Sequence, residues 1–172
     1  PYTDPEDFPE LVNDSHRQIA QKIATQSLVL LQNKNNTLPL SKEINTVAVI
    51  GPLADNPHEQ LGTWIFDGDR IHSVTPLQAI RDELGNPDRV HFARGLEISR
   101  TRGHEGFADA VTAAKKSDAV LLFLGEESIL SGESHSRADI GLPGAQEELV
   151  AELDRTGKPV VAVILAGRPL TI

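Results

Sequence analysis

Cysteine is absent from this 172-residue chain. That removes disulfides, thiolate zinc sites and cysteine nucleophiles, and it is compatible with a cytoplasmic, periplasmic or extracellular location alike. No signal peptide is present, and the chain opens without an initiator methionine on PYTDPEDFPE. It therefore reads as an internal or processed piece whose targeting segment lies outside it. No apolar run approaches the roughly 18 residues that a membrane span needs. Basic charge is scarce: 16 Lys and Arg against 25 Asp and Glu leave a net charge of −9. Phosphate backbones need a basic stripe and none appears, which argues against a nucleic-acid partner. The same field disfavours anionic substrates and leaves neutral ligands as the better fit.

Several catalytic signatures are missing as well. Gly51, Gly62, Gly68 and Gly125 lie near strand ends but nowhere form G-x-G-x-x-G or a G-x-x-x-x-G-K-[ST] loop, so no nucleotide cofactor is expected. There is no G-x-S-x-G elbow, which disfavours a serine hydrolase. His16, His58, His72, His91, His104 and His135 show no H-x-x-x-H spacing, and no metal site is expected from them. Internal repeats and low-complexity segments are absent.

What is present is an ordinary globular composition, 39% hydrophobic and 24% charged, long enough for one domain with a substantial core. Pro1 to Pro9 reads as an extended tail. A helix over residues 15–32 follows, capped by Asp14 or Ser15, with Ile19, Ile23, Leu28, Leu30 and Leu31 as a stripe suited to docking on a sheet; Asn33 to Asn36 breaks it. Helices are also expected over Thr75 to Leu84, Gly106 to Lys116 and Gly144 to Thr156. Continuous apolar strands are expected at Thr46 to Ile50, Ala119 to Leu124 and Pro159 to Leu165, with a shorter one at Arg89 to Ala93. Helices alternating with continuous apolar strands imply parallel pairing with both faces covered. The expectation is an α/β fold, a mostly parallel sheet sandwiched between helices, preceded by a linker over 1–13. A further crossover is due after Gly167-Arg168-Pro169, so the sheet reads as truncated at its C-terminal end.

The most informative stretch is Asp118 to Pro143. A buried strand stops at Gly125 and opens into a long polar loop with Glu126, Glu127 and Glu133. In open α/β sheets, ligands bind beyond the carboxyl ends of the strands, and loops longer than about a dozen residues are usually functional or disordered. Glu133 is either a solvated loop carboxylate or a general acid/base, which needs a carboxyl at a cleft. Arg137 and Asp139 either form a loop ion pair or organise the loop around Glu133. Trp64, the single tryptophan, is either core or a sugar platform, because an indole stacks on the C–H face of a pyranose. Asn13-Asp14-Ser15 and Asn35-Asn36-Thr37 are glycosylation sequons of a kind that often arises by chance.

Several stretches then line up in order. QIAQKIATQSLVLLQNKNNTLPL resembles the S-x-V-L-L-x-N…L-P-L entry to the second domain of glycoside hydrolase family 3. Thr46 to Asp55, TVAVIGPLAD, is similar to the V-A-V-I-G-x-x-A-D strand that follows it. Leu61 to Trp64 resembles the family's G-x-W segment. Glu133 to Pro143 resembles its E-x-x-x-x-R-x-x-L-x-L-P loop, and Ala166 to Pro169 its x-G-R-P turn. The resemblance covers essentially the whole chain and lies nearest the bacterial β-glucosidases.

It implies a retaining β-glycosidase whose N-terminal (β/α)8 barrel, absent here, carries the nucleophilic aspartate, while this second domain supplies the acid/base glutamate. Retaining enzymes place the two carboxyls about 5–5.5 Å apart, and this chain holds one side of that pair. The position matching the acid/base is Glu133, with Trp64 and Arg137 as substrate-binding candidates for a β-glucoside or short β-linked oligosaccharide. Because the loop varies in such families, Glu126 and Glu127 remain alternatives to Glu133. Some members use a barrel histidine as acid/base instead. Neither cofactor nor metal is implied. A noncatalytic carbohydrate-binding or packing domain that only shapes a partner's cleft is the competing reading. A flavodoxin-like receiver or nucleotide domain is disfavoured, since glycines occupy the strand ends where a receiver needs acids.

Overall fold

The computed structural model describes residues 2–7 and 12–172. The chain divides into two compact units, Pro1–Leu38 and Pro39–Ile172. In the first, α1 spans Asp14–Ser27, with Asn13 as its N-cap: the Asn13 side-chain oxygen Oδ1 accepts from the His16 N–H at 3.0 Å. The cap is thus one residue before the pair expected. The helix also stops short of residue 32. Ile19 and Ile23 keep helical spacing, but Leu28 to Leu31 are consecutive apolar residues, and the chain turns extended at Leu28. Thr25 and Ser27 hydroxyls bond back to the Gln21 and Ala24 carbonyls in the last turn, which weakens helical continuation. No residue of α1 is buried. Asn35 and Asn36 adopt positive φ in the break that follows. Of the expected tail, Pro5–Asp7 forms a 3-10 turn, and residues 1 and 8–11 lie outside the described residues.

The second unit is built on a four-stranded sheet of order β2-β1-β3-β4. Its strands are β1 (Val47–Ile50), β2 (Val90–Ala93), β3 (Ala119–Gly125) and β4 (Val160–Leu165), and every pairing is parallel. Three helices cover it: α2 (Pro76–Leu84), α3 (Phe107–Lys115) and α4 (Gln146–Asp154). Alternation along the strands divides the core in two. Ile50, Val120, Leu122 and Leu124 pack with Ala110 and Ala114 of α3 and Leu149 and Leu153 of α4. Val47, Val49 and Phe123 pack on the other face with Leu77 of α2. The result is the sandwich expected, with element ends shifted by a residue or two.

Local chemistry fixes the element ends. Thr75 caps α2, accepting from the Gln78 N–H at 3.2 Å, and Pro76 takes the first turn, where its missing N–H costs nothing. Asp118, just before β3, accepts from the Thr46 N–H at 2.9 Å and from the Thr46 hydroxyl at 3.1 Å. These bonds hold its carboxyl below the usual aspartate range and clip together the entries of β1 and β3. The chain goes from β1 to β2 on one side and returns to β3 on the other. The topological switch point therefore lies between β1 and β3, and the loops after those two strands flank it.

Candidate functional site

The loop after β3 starts on a residue that must be glycine. Gly125 has φ +130°, and a Cβ there would sit 1.8 Å from the Leu165 carbonyl oxygen of β4. Its N–H donates to the Gln146 side-chain oxygen at 2.8 Å. The Gln146 amide is fully buried, and its nitrogen faces the carbonyls of Gly125 (2.8 Å), Ser99 (2.9 Å) and Pro143 (3.0 Å). One side chain of α4 thereby ties down the end of β3, the loop after β2 and the far end of the 126–143 loop.

The first two carboxylates of the loop are buried and occupied. Glu126 has a side chain 0% exposed; Arg137 donates to one carboxylate oxygen and Arg168 to the other at 3.1 Å. Glu127 accepts from the Ser99 hydroxyl at 2.6 Å and from Arg100 Nε at 3.0 Å. Burial works to raise the Glu127 pKa, but the hydrogen bonds from Arg100 and Ser99, with the Arg100 charge, outweigh it and hold the carboxyl below the ordinary range. Donors occupy both oxygens of each carboxylate, so neither has a free edge to offer a substrate.

Glu133 is different. It is exposed, and among the described residues it has no hydrogen-bond or ion-pair partner. It occupies a turn closed by the His135 N–H on the Gly132 carbonyl at 3.2 Å, with Gly132 at φ +110° and Ser134 at φ +64°. A Cβ on Gly132 would lie 2.5 Å from the Thr63 methyl, so the loop after β1 presses against this turn. The Thr63 hydroxyl donates to the Ser131 carbonyl at 2.8 Å and also faces that of Ser128, whose N–H donates to Glu59. Two loops that flank the switch point are stapled together one residue from Trp64.

Trp64 is 63% exposed, with Phe66 and Ile71 also exposed nearby in sequence; it is not core. Arg137 does not bond Glu133: its guanidinium holds Glu126 and the Gly141 carbonyl (3.1 Å), and it lines a crevice of about 650 Å³ with Arg100, Arg102 and Glu148. Neither Trp64 nor Glu133 borders that crevice. Asp139 does not pair with Arg137; its carboxylate accepts from the Gly141 N–H at 2.9 Å. The residue that sequence reasoning passed over is Arg168, whose x-G-R-P turn was visible while its reach back to Glu126 was not. Among the described residues no cluster of three or more His, Asp or Glu is placed to hold a metal ion, and no helix is long and apolar enough to cross a membrane.

Comparison with known proteins adds to this geometry. The family model for the glycosyl hydrolase family 3 C-terminal domain matches residues 28–172. A β-xylosidase of Formosa agariphila is 39% identical over 168 residues, covering 95% of this chain and 23% of the relative. A periplasmic β-glucosidase of Salmonella typhimurium is 36% identical, covering 91% of this chain and 23% of the relative. Among solved structures, a β-glucosidase from Listeria innocua in complex with isofagomine superposes with a TM-score of 0.85 at 32% identity, over 95% of this chain and 22% of that one. This chain thus spans roughly a quarter of the length of the curated relatives it matches.

Proposed function

The chain belongs to the glycosyl hydrolase family 3 C-terminal domains, and on that premise we propose that it supplies the general acid/base, Glu133, of a retaining β-glycosidase. The observation that carries the reading is the contrast within one loop. Glu126 and Glu127 are buried and occupied by arginines, while Glu133 alone is held out, partnerless among the described residues, at the carboxyl end of the sheet. In the full-length enzyme a (β/α)8 barrel provides the nucleophilic carboxylate and closes over this face. Glu133 protonates the departing glycosidic oxygen as the nucleophile attacks the anomeric carbon, then takes a proton from the water that hydrolyses the glycosyl-enzyme.

Trp64, exposed on the neighbouring loop and coupled to the Glu133 turn through Thr63, forms an apolar wall for a sugar ring. Arg137 serves the site by holding the loop. The substrate is a neutral β-glycoside, a β-glucoside or the related β-xyloside, in keeping with the net acidic charge. The chain by itself, holding one carboxyl of the pair, turns over no glycoside because both proximity and covalent catalysis are lost.

The test is Glu133→Gln in the full-length protein, assayed on aryl β-glycosides of graded leaving-group ability. The reading expects glycosylation to fall about 10²–10⁴-fold for poor leaving groups and far less for dinitrophenyl glycosides, which need little protonation. Equal rates for variant and wild type across the series would leave the domain as a noncatalytic wall of its partner's cleft.

A further inference from the structure

The loop carrying Glu133 is long, polar and exposed, and such a loop does not by itself hold a carboxyl where chemistry needs it. We propose that Arg168, anchored on buried Glu126, is the positioning residue that sets the place of Glu133. The inference rests on the acid/base reading and extends it to a residue with no role there.

The anchor comes first. Glu126 follows the strand-end glycine of β3, its N–H donates to the Leu165 carbonyl of β4 at 2.9 Å, and its carboxylate is fully enclosed. Arg168 stands just past the end of β4, its side chain 22% exposed, and donates from Nε to that carboxylate at 3.1 Å. Its Nη2 then reaches two main-chain oxygens, His135 O at 2.9 Å and Leu130 O. These carbonyls bracket residues 131–134, so one guanidinium grips both shoulders of the turn that presents Glu133. The preceding Gly167 packs on the same turn: a Cβ there would fall 2.1 Å from the Ser131 hydroxyl. Arg137, the second cation on Glu126, fixes the trailing end of the loop through Gly141 O at 3.1 Å.

Only a planar fork can serve a carboxylate and two carbonyls from fixed directions; a lysine is a point charge on a flexible stem. A displacement of about 1 Å in a catalytic group is enough to cost on the order of 100-fold in rate. Arg168 itself touches nothing that reacts and acts through Glu133.

The experiment uses the full-length protein and the variants Arg168→Lys, Glu133→Gln and their combination, assayed with dinitrophenyl and poor-leaving-group aryl β-glycosides. Positioning predicts that Arg168→Lys slows the poor leaving group by roughly 100-fold and the dinitrophenyl glycoside little. It also predicts that Arg168→Lys costs nothing further when Glu133 is already Gln, because both act through one carboxyl. Hydrogen exchange should quicken at the Ser131 and His135 amides while the β3 and β4 amides stay protected. Parallel losses for both leaving groups, or additive losses in the double variant, overturn the positioning role and leave Glu133 as the acid. Leaving-group dependence absent from Glu133→Gln itself overturns the acid/base reading, and this inference with it.

Discussion

Arg168 Nε lies 3.1 Å from Glu126 Oε2 across the carboxyl ends of β3 and β4, joining residues 42 apart in the chain. Glu126 is fully enclosed while its two arginine partners are 17% and 22% exposed, so its charge belongs to an anchored network and not to a surface pair. Glu126→Gln leaves two guanidiniums facing a neutral amide. Removing one partner of a buried pair costs about 3–5 kcal/mol; the partial exposure of the arginines places this case near the lower figure. Native-state hydrogen exchange at the Gly125 and Glu126 amides reads the loss as protection falling by about two powers of ten. Unchanged protection would mean that the network contributes nothing to holding the loop.

Gln146 is the corresponding neutral device. Its buried amide nitrogen faces three carbonyls and its oxygen accepts from Gly125. Gln146→Glu changes little in volume but turns a donor into an acceptor in a closed site, costing roughly 2–4 kcal/mol. The thermal midpoint should drop, and more so as pH rises and the new carboxyl is driven to ionise. A midpoint independent of pH would contradict the assignment.

The Glu127 carboxyl titrates below the ordinary glutamate range because hydrogen bonds from Arg100 and Ser99 outweigh its burial. A depressed carboxylate contributes stability that is full above its unfolded pKa, roughly 4.3, and is lost as pH falls through the folded value. Wild type should therefore exceed Glu127→Gln in stability at neutral pH, and the gap should narrow as pH falls below the unfolded value and on through the lower folded one. Thermal midpoints across that range check it, and a constant gap would contradict it.

Trp64 is mostly exposed, so Trp64→Ala should hardly move the thermal midpoint. If its face receives a sugar ring, KM for aryl glycosides should rise by up to about tenfold, the equivalent of a stacking contact of roughly 0.5–1.5 kcal/mol. A large fall in stability with unchanged KM would return the residue to a packing role.

The sheet was legible because β1, β3 and β4 are continuous apolar segments that end at or near Gly51, Gly125 and Gly167, and buried parallel strands have that form. The α1 helix ends at Ser27, short of the expected residue 32, because Leu28, Leu30 and Leu31, which extend the apolar stripe on paper, belong with Val29 to a run of four consecutive apolar residues that has no helical period. Within the site, the residues alone favour a solvated carboxylate at Glu133 over an acid, and only the family resemblance singles it out. The Glu126 network was hidden for a physical reason: its partners sit 11 and 42 positions away, and no local pattern joins charges that meet only where two strands end.

The central claim is that Glu133 is the group that gives and takes the proton, and azide tests it most directly. In Glu133→Gln of the full-length enzyme, the glycosyl-enzyme formed from a dinitrophenyl β-glycoside should stall, because no base activates water. Azide needs no base; it should attack the anomeric carbon, displace the nucleophilic carboxylate and restore turnover, releasing the β-glycosyl azide. Recovery of that product with Glu133→Gln, and its absence with wild type, is the predicted result. If azide leaves Glu133→Gln unchanged while Glu127→Gln yields the glycosyl azide, the acid/base is Glu127 and the account of this loop is wrong.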